Sequence, residues 1–224
     1  MTGKSGFTIH LGNKVYSSWS LRGWLALKLT GAPFEEVVYP MAGPGSVTVE
    51  IRDRSPSGRV PLLKHGEILV WDSLAIAEYL AETFPDAKLW PTEARARATA
   101  RSVSAEMHSG FTAVRSAMAM NVRRAPFALA YGDDVRSEVA RIEAIWRECR
   151  AAHGKSGPFL FGAFTIADAM FAPVATRFHT YGARIESDSR AYVDAVRAFP
   201  VMREWISAAE REPWRIEAYE RIGT

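Results

Sequence analysis

Between Phe7 and Phe84 the chain alternates short apolar runs with turn residues. Phe7 to Leu11 reads as a strand. Leu21, Leu25 and Leu29 then recur at four-residue spacing with Trp24 beside them, which predicts a helix over 21–29. Gly31-Ala32-Pro33 ends it, with glycine past the last turn and proline just beyond. Phe34 to Tyr39 reads as a second strand. Residues 41–57 are punctuated by glycine and proline, with room for one short helix around Val49. Pro61 to Lys64 and Ile68 to Trp71 are strands joined at His65-Gly66, and so tight a connection implies an antiparallel hairpin. Ser73 to Phe84 is helical, with Leu74, Ala77, Leu80 and Ala81 as its apolar stripe. A βαβ unit followed by a ββα unit predicts a four-stranded mixed sheet with helices packed on it, an α/β domain.

The pattern changes after Pro85-Asp86-Ala87-Lys88-Leu89-Trp90-Pro91, a linker held between two prolines. Glu93 to Val122 reads as one long helix without proline. Ser137 to His153, Thr165 to Tyr181, Ser189 to Phe199 and Val201 to Arg211 are further helices, and no strand pattern intervenes. The expected division is an α/β domain over 1–85, a linker over 86–92 and an all-α domain over 93–224.

Composition narrows the chemistry. The chain has 224 residues, 48% hydrophobic and 24% charged, ordinary for a globular protein. No apolar run reaches the roughly 18 residues of a membrane span, and the first residues lack the pattern of a signal peptide, so a cytoplasmic protein without a membrane partner is expected. Arginine outnumbers lysine 22 to 6, yet the net charge is only +3. Acidic residues are spread through the same segments, so Arg95, Arg97 and Arg101 read as a solvated helix face and no nucleic-acid partner is expected. Cys149 is the single cysteine and falls within a helical pattern, which makes it a packing or surface residue rather than a nucleophile. The five histidines have no ligand spacing, and no metal site is expected. Walker A, GxGxxG and GxSxG patterns are absent from the sequence.

Three segments carry candidate chemistry. Tyr16-Ser17-Ser18-Trp19-Ser20-Leu21-Arg22 places hydroxyls where the first strand gives way to the first helix. Val60-Pro61 opens the hairpin. Asp72-Ser73 starts the next helix. A strand edge, a proline turn and a helix N-terminus lying close in sequence suit a small peptide-like anion. Each segment also has a purely structural use: Ser17, Ser18 or Ser20 as a helix cap, Pro61 as a strand-opening proline, Asp72 or Ser73 as a cap. In the helical half, Thr165-x-x-Asp168 has the spacing of a capping box and is assigned to folding. His108, Phe111, Arg115 and Met118 would share one face of a continuous helix over 93–122, available either to a ligand or to core packing.

These segments in this order resemble the cytosolic glutathione S-transferase superfamily. The likeness rests on Ser17-Ser18-Trp19-Ser20 with Arg22, Gly58-Arg59-Val60-Pro61, Asp72-Ser73 and Phe164-Thr165-Ile166-Ala167-Asp168, and it covers nearly the whole chain. The serine-rich start looks most like the zeta and related bacterial classes. The resemblance implies a thioredoxin-like first domain, an all-helical second domain, a homodimer and a role in detoxification. Glutathione is the implied co-substrate. The thiolate partner would be Ser17, with Ser18 one register away. Val60-Pro61, held cis, would pair with the tripeptide backbone. Arg59 would reach the glycyl carboxylate. Ser73 would hold the γ-glutamyl carboxylate and Asp72 its ammonium. Trp19, His108, Phe111 and Arg115 would wall the pocket for a small hydrophobic electrophile. Trp19 stands where the zeta motif has cysteine, which weakens a maleylacetoacetate isomerase reading. That isomerase, and a non-catalytic binding protein of the same fold, remain the alternatives.

Overall fold

A computed structural model describes residues 6–41, 43 and 49–223. The N-terminal half runs β1 (Phe7–Gly12), α1 (Ser18–Leu29), β2 (Phe34–Tyr39), α2 (Val49–Arg52), β3 (Leu62–His65), β4 (Ile68–Trp71) and α3 (Ser73–Thr83). The sheet is four-stranded in the order β2-β1-β3-β4. β1 lies parallel to β2, with Phe7 opposite Phe34, and antiparallel to β3, with Phe7 opposite His65. β3 and β4 form the expected hairpin, Leu62 opposite Trp71. Leu21, Trp24 and Leu25 are buried, as their spacing predicts. Gly31 takes φ +72° just past the helix end, a left-handed position where glycine meets no steric penalty.

After a short 3-10 turn at Pro85–Ala87 the rest of the described chain is helical: α4 (Ala94–Ser109), α5 (Thr112–Ala117), α6 (Asp133–His153), α7 (Ile166–Thr180), α8 (Ser187–Ala198), α9 (Pro200–Glu210) and α10 (Glu217–Glu220). Helix α7 is the centre of this half. All but one of its residues are buried, so it is apolar nearly all round. Its start is fixed as the sequence predicts. The buried Asp168 carboxylate accepts from Thr165 N (2.9 Å), Thr165 Oγ1 (3.0 Å), Leu160 N (3.0 Å) and the Tyr192 hydroxyl (3.0 Å). Burial lifts the pKa of Asp168 to about 6, against the pull of those four donors. Cys149 is buried, and burial pushes its thiol up to about 12, so it packs and does not react.

One predicted element is overturned. The helix expected over 93–122 is two helices broken at Gly110 and Phe111. Phe111 sits at φ +60° before α5, its ring in the core. No proline announces the break. Glu138 of α6 instead accepts from the first amides of α5, Ala113 N (3.2 Å) and Val114 N (2.8 Å), giving the new helix a cap from a distant segment. His108, Phe111, Arg115 and Met118 therefore do not share a face. The cap for α6 likewise comes four residues earlier than expected, at Gly132, and the short α10 was not foreseen.

The halves are joined by specific polar contacts. Arg22 Nε of α1 donates to the Met170 carbonyl of α7 (3.0 Å). Trp205 Nε1 of α9 donates to the Lys14 carbonyl (3.0 Å). Arg101 of α4 makes a two-pronged bond to Glu78 of α3 (2.9 and 3.1 Å). Arg97 donates to the Pro91 and Thr92 carbonyls (3.1 and 2.6 Å), so the arginine cluster of α4 is engaged with the linker and α3.

Candidate functional site

Two cavities lie side by side, separated by Trp19. The first, of about 540 Å³, is lined by Trp19, Ser57 and Arg59, by Val60-Pro61, and by Trp71, Asp72, Ser73 and His108. It is built by β3, β4 and the start of α3, as the short spacing of these residues in the sequence anticipates. The Val60-Pro61 bond is cis. Asp72 caps α3: its Oδ1 accepts from Leu74 N (2.8 Å) and, at longer range, Ala75 N (3.5 Å). It does so at φ +73° and ψ 133°, a region that L residues rarely adopt. Strain of this kind concentrates at binding sites.

Ser73 supplies the most telling atom. The residue is 1% exposed, and its Oγ is buried without a hydrogen-bond partner. A buried hydroxyl left unpaired costs on the order of 1–3 kcal/mol. It lies at the first residue of an 11-residue helix, where the dipole favours negative charge. The position is therefore an unfilled acceptor-seeking site on the cleft wall.

His108, expected in the second pocket, belongs to the first cleft. Its Nε2 lies 3.1 Å from Asp72 Oδ2, tying the end of α4 to the start of α3. Burial lowers the His108 pKa, with Asp72 opposing and the positive Arg22 and Arg115 adding to the shift, so at neutral pH the contact is a hydrogen bond from a neutral ring. Phe111 lines neither cavity.

The second cavity, of about 220 Å³, is lined by Ser17, Ser18, Trp19, Met41, Arg115 and Arg177, closed by Ala119, Met120, Tyr16 and Tyr219. Ser17 is the N-cap of α1. Its Oγ accepts from Ser20 N (3.3 Å) and donates to Ser20 Oγ (2.8 Å), which in turn accepts from Gly12 N (2.9 Å). Ser18 opens α1 half-buried, with its face to the same cavity. The Trp19 indole is packed between two guanidiniums, Arg22 at 4.5 Å and Arg115 at 4.8 Å from the ring centre, and meets the His108 ring edge-on at 5.1 Å. Sequence reasoning missed Ser57 and Trp71 of the first cavity and Tyr16, Met41, Ala119, Met120, Arg177 and Tyr219 of the second, Arg177 of α7 being the charged one among them. It is one of the few charged positions of a fully buried helix, and such a residue is a functional signal in its own right.

The description "Glutathione S-transferase, N-terminal domain" matches residues 16–83, and "Glutathione S-transferase, C-terminal domain" matches residues 122–208. The chain belongs to the glutathione S-transferase family. Among curated relatives, glutathione S-transferase 1 of Dianthus caryophyllus is 40% identical over 81 residues, 36% of each chain. Maleylacetoacetate isomerase of Mus musculus is 38% identical over 95 residues, 42% of this chain and 43% of that protein. These matches span well under half of the relatives' length. Among solved structures, a Burkholderia glutathione transferase homolog with bound glutathione superimposes with TM-score 0.71 at 22% identity, over 92% of this chain and 100% of that one. A theta class transferase of Xanthomonas axonopodis pv. citri, also with glutathione bound, gives 0.67 at 23% over 90% and 97%. Both likenesses are of fold, and they agree with the mixed sheet and helical half described above. Among the described residues no group of three or more His, Cys, Asp or Glu side chains is placed to hold a metal, and no helix is long and apolar enough to cross a membrane.

Proposed function

We propose that this chain is a glutathione-dependent transferase. The orphaned Ser73 hydroxyl at the head of α3 carries the reading, because it needs an acceptor that the protein does not supply. The γ-glutamyl carboxylate fits there, on the hydroxyl at the positive end of the α3 dipole. Asp72, beside it, takes the γ-glutamyl ammonium. Val60, just ahead of the β3 ladder, offers its backbone to the cysteinyl residue as an added strand would. Arg59 is exposed on the cleft rim and reaches for the glycyl carboxylate. This arrangement directs the thiol toward Trp19 and the second cavity.

There the sulfur meets the start of α1. A free thiol of pKa about 8.5 is only a few per cent ionised at neutral pH, and lowering that value by about 2 units takes roughly 2.7 kcal/mol of preferential anion stabilisation. Ser17 is placed to contribute. If its O–H turns to the sulfur, Ser20 can rotate its own O–H onto Ser17 Oγ, so no buried hydroxyl loses its partner. The amides opening α1 add their dipole. The thiol proton leaves to solvent. The sulfur lone pair then forms the C–S bond to the acceptor carbon, and the leaving group departs with the broken bond's electrons. Met41, Ala119 and Met120 give the acceptor an apolar wall. The protein acts by orientation and anion stabilisation, with no covalent enzyme intermediate.

Calorimetry with glutathione and conjugation of 1-chloro-2,4-dinitrobenzene test this. Ser17→Ala is expected to lower kcat by roughly 10-fold or more, with melting altered only by a lost cap of about 1 kcal/mol. Loss of kcat in Ser18→Ala alone would move the role one residue on. No heat with glutathione at millimolar concentration would sink the proposal. A homodimer is part of the same reading. Edge strand β4 leaves Ile68 at 49% and Leu69 at 39% exposed, apolar surface that a second copy pairing along this edge would cover. Light scattering measures it directly.

A further inference from the structure

The second cavity is cationic beyond anything its scaffold requires. Arg115 and Arg177 both line it, and Arg22 lies behind Trp19. Each is anchored through part of its guanidinium only. Arg177 Nε donates to the Met118 carbonyl (2.8 Å), Arg115 Nη2 donates to the Met107 and His108 carbonyls, and Arg22 Nε to that of Met170. Buried nitrogens without partners remain on all three: Arg177 Nη1, Arg115 Nε and Arg22 Nη1. Arg177 is 5% exposed and Arg22 1%.

Among the described residues no carboxylate forms an ion pair with any of them. The nearest acids are committed elsewhere. Glu138 caps α5 through Ala113 N and Val114 N. Glu220 holds the Tyr16 hydroxyl and faces Arg123 (3.7 Å) and Arg215 (3.8 Å). Asp72 caps α3 and meets His108. Burial first, and then the charge of Arg115, push Arg177 down to about 10 and lower Arg22; burial alone lowers Arg115, with Glu138 opposing there and Asp72 opposing at Arg22. A buried cation with no carboxylate in contact is costly, and Glu138 and Asp72 offset that cost only in part, from beyond ion-pair distance.

We propose that the missing counter-charge is on the acceptor: the second cavity takes a small electrophile bearing a carboxylate, gripped by Arg115 and Arg177 while its apolar body rests on Met41 and Met120. Guanidiniums match a carboxylate's two oxygens in geometry as well as charge. This deepens the transferase reading and rests on it.

The test compares 4-chloro-3-nitrobenzoate with its methyl ester. In each, the glutathione sulfur bonds to the ring carbon and chloride leaves with the bonding pair. With each rate divided by its uncatalysed rate, the acid is expected to exceed the ester in kcat/KM by roughly 10-fold, the scale of one charge-assisted hydrogen bond. Arg115→Gln is expected to remove that preference, bringing the acid-to-ester ratio of kcat/KM to about one, and Arg115→Lys to keep part of it. Arg177→Lys, checked for an unchanged melting point, repeats the test at the buried position. A binding arm needs no turnover: 3-nitrobenzoate titrated into glutathione-loaded protein is expected to bind more tightly than methyl 3-nitrobenzoate, and Arg115→Gln to abolish the difference. Ester conjugation at or above the acid's rate, or equal binding of the two nitrobenzoates, overturns the proposal and leaves the transferase intact. Absence of glutathione binding in calorimetry overturns the transferase reading itself.

Discussion

The two cavities share a wall at Trp19 but are made in different ways. The first is written locally. Residues 57–61 and 71–73 supply all of its lining except Trp19 and His108, and its polar groups include a helix N-terminus, one orphaned hydroxyl, a capping carboxylate and the Arg59 guanidinium. The second is assembled from the start of α1, the segment after β2, helix α5 and the residues just beyond it, α7 and α10. Its character comes from guanidiniums that face no carboxylate. One cavity offers its ligand donors and acceptors of both signs, the other positive charge alone. A locally built site tolerates change elsewhere in the chain, whereas a site assembled from distant helices depends on everything that holds those helices in place.

The sharpest way to break this contrast is to loosen α7. Asp168→Ala removes an acceptor used by four donors in a fully buried setting and strands those donors. A loss of about 3 kcal/mol or more in urea unfolding is expected. In the protein that remains folded, KM for the acceptor should rise more than KM for glutathione, because Arg177 rides on α7 and the first cleft does not. A loss under about 1 kcal/mol would show that the box is redundant. Equal rises in both KM values would show that the cavities do not depend differently on the helical frame.

A second change probes the first cleft alone. Ser73→Ala removes a hydroxyl that has no partner in the fold. Removing an unsatisfied buried group should leave stability unchanged or slightly raised. The glutathione KM, by contrast, should rise by roughly 10-fold, the cost of one hydrogen bond to a charged group. The acid-to-ester preference of the second cavity should not move. Lost affinity with kept stability marks a group held for a ligand, and a drop in melting temperature with KM unchanged would instead make Ser73 part of the framework.

The same division explains what the sequence disclosed. The hairpin, the Asp72-Ser73 helix start and the Thr165–Asp168 box depend on residues a few positions apart, so periodicity and cap chemistry reveal them, whereas the cis turn at Val60-Pro61 was implied by the family resemblance alone. The break at Gly110–Phe111 does not, because its cap, Glu138, lies more than twenty residues away. With the helix wrongly continuous, His108 and Arg115 appeared to point together. In the structure they serve different cavities, and Phe111 packs in the core. Arg177 was visible only as a charge inside an apolar helix. Its meaning depends on which carboxylates fail to reach it, and no single segment records that.

The mildest effect is a pH dependence at His108, the residue that joins the cleft wall of α3 to the helical half. Burial outweighs the attraction of Asp72 and lowers its pKa below the ordinary 6.5. On acidification the unfolded chain therefore takes up this proton first, and stability falls as pH drops below about 6.5 toward the folded-state value. Above neutrality the contribution is complete and flat. His10 and His179 are lowered by burial in the same sense, so the slope of the native protein is a sum. Asp168 acts oppositely: its raised pKa makes stability fall as pH rises from about 4 to about 6. His108→Gln isolates one part. Glutamine keeps a donor within reach of Asp72 but cannot titrate, so urea midpoints between pH 5.5 and 7 should vary less steeply than in the native protein and converge with it above pH 7.5. An unchanged slope would mean that His108 keeps its ordinary affinity for protons in the fold and that burial does not govern it.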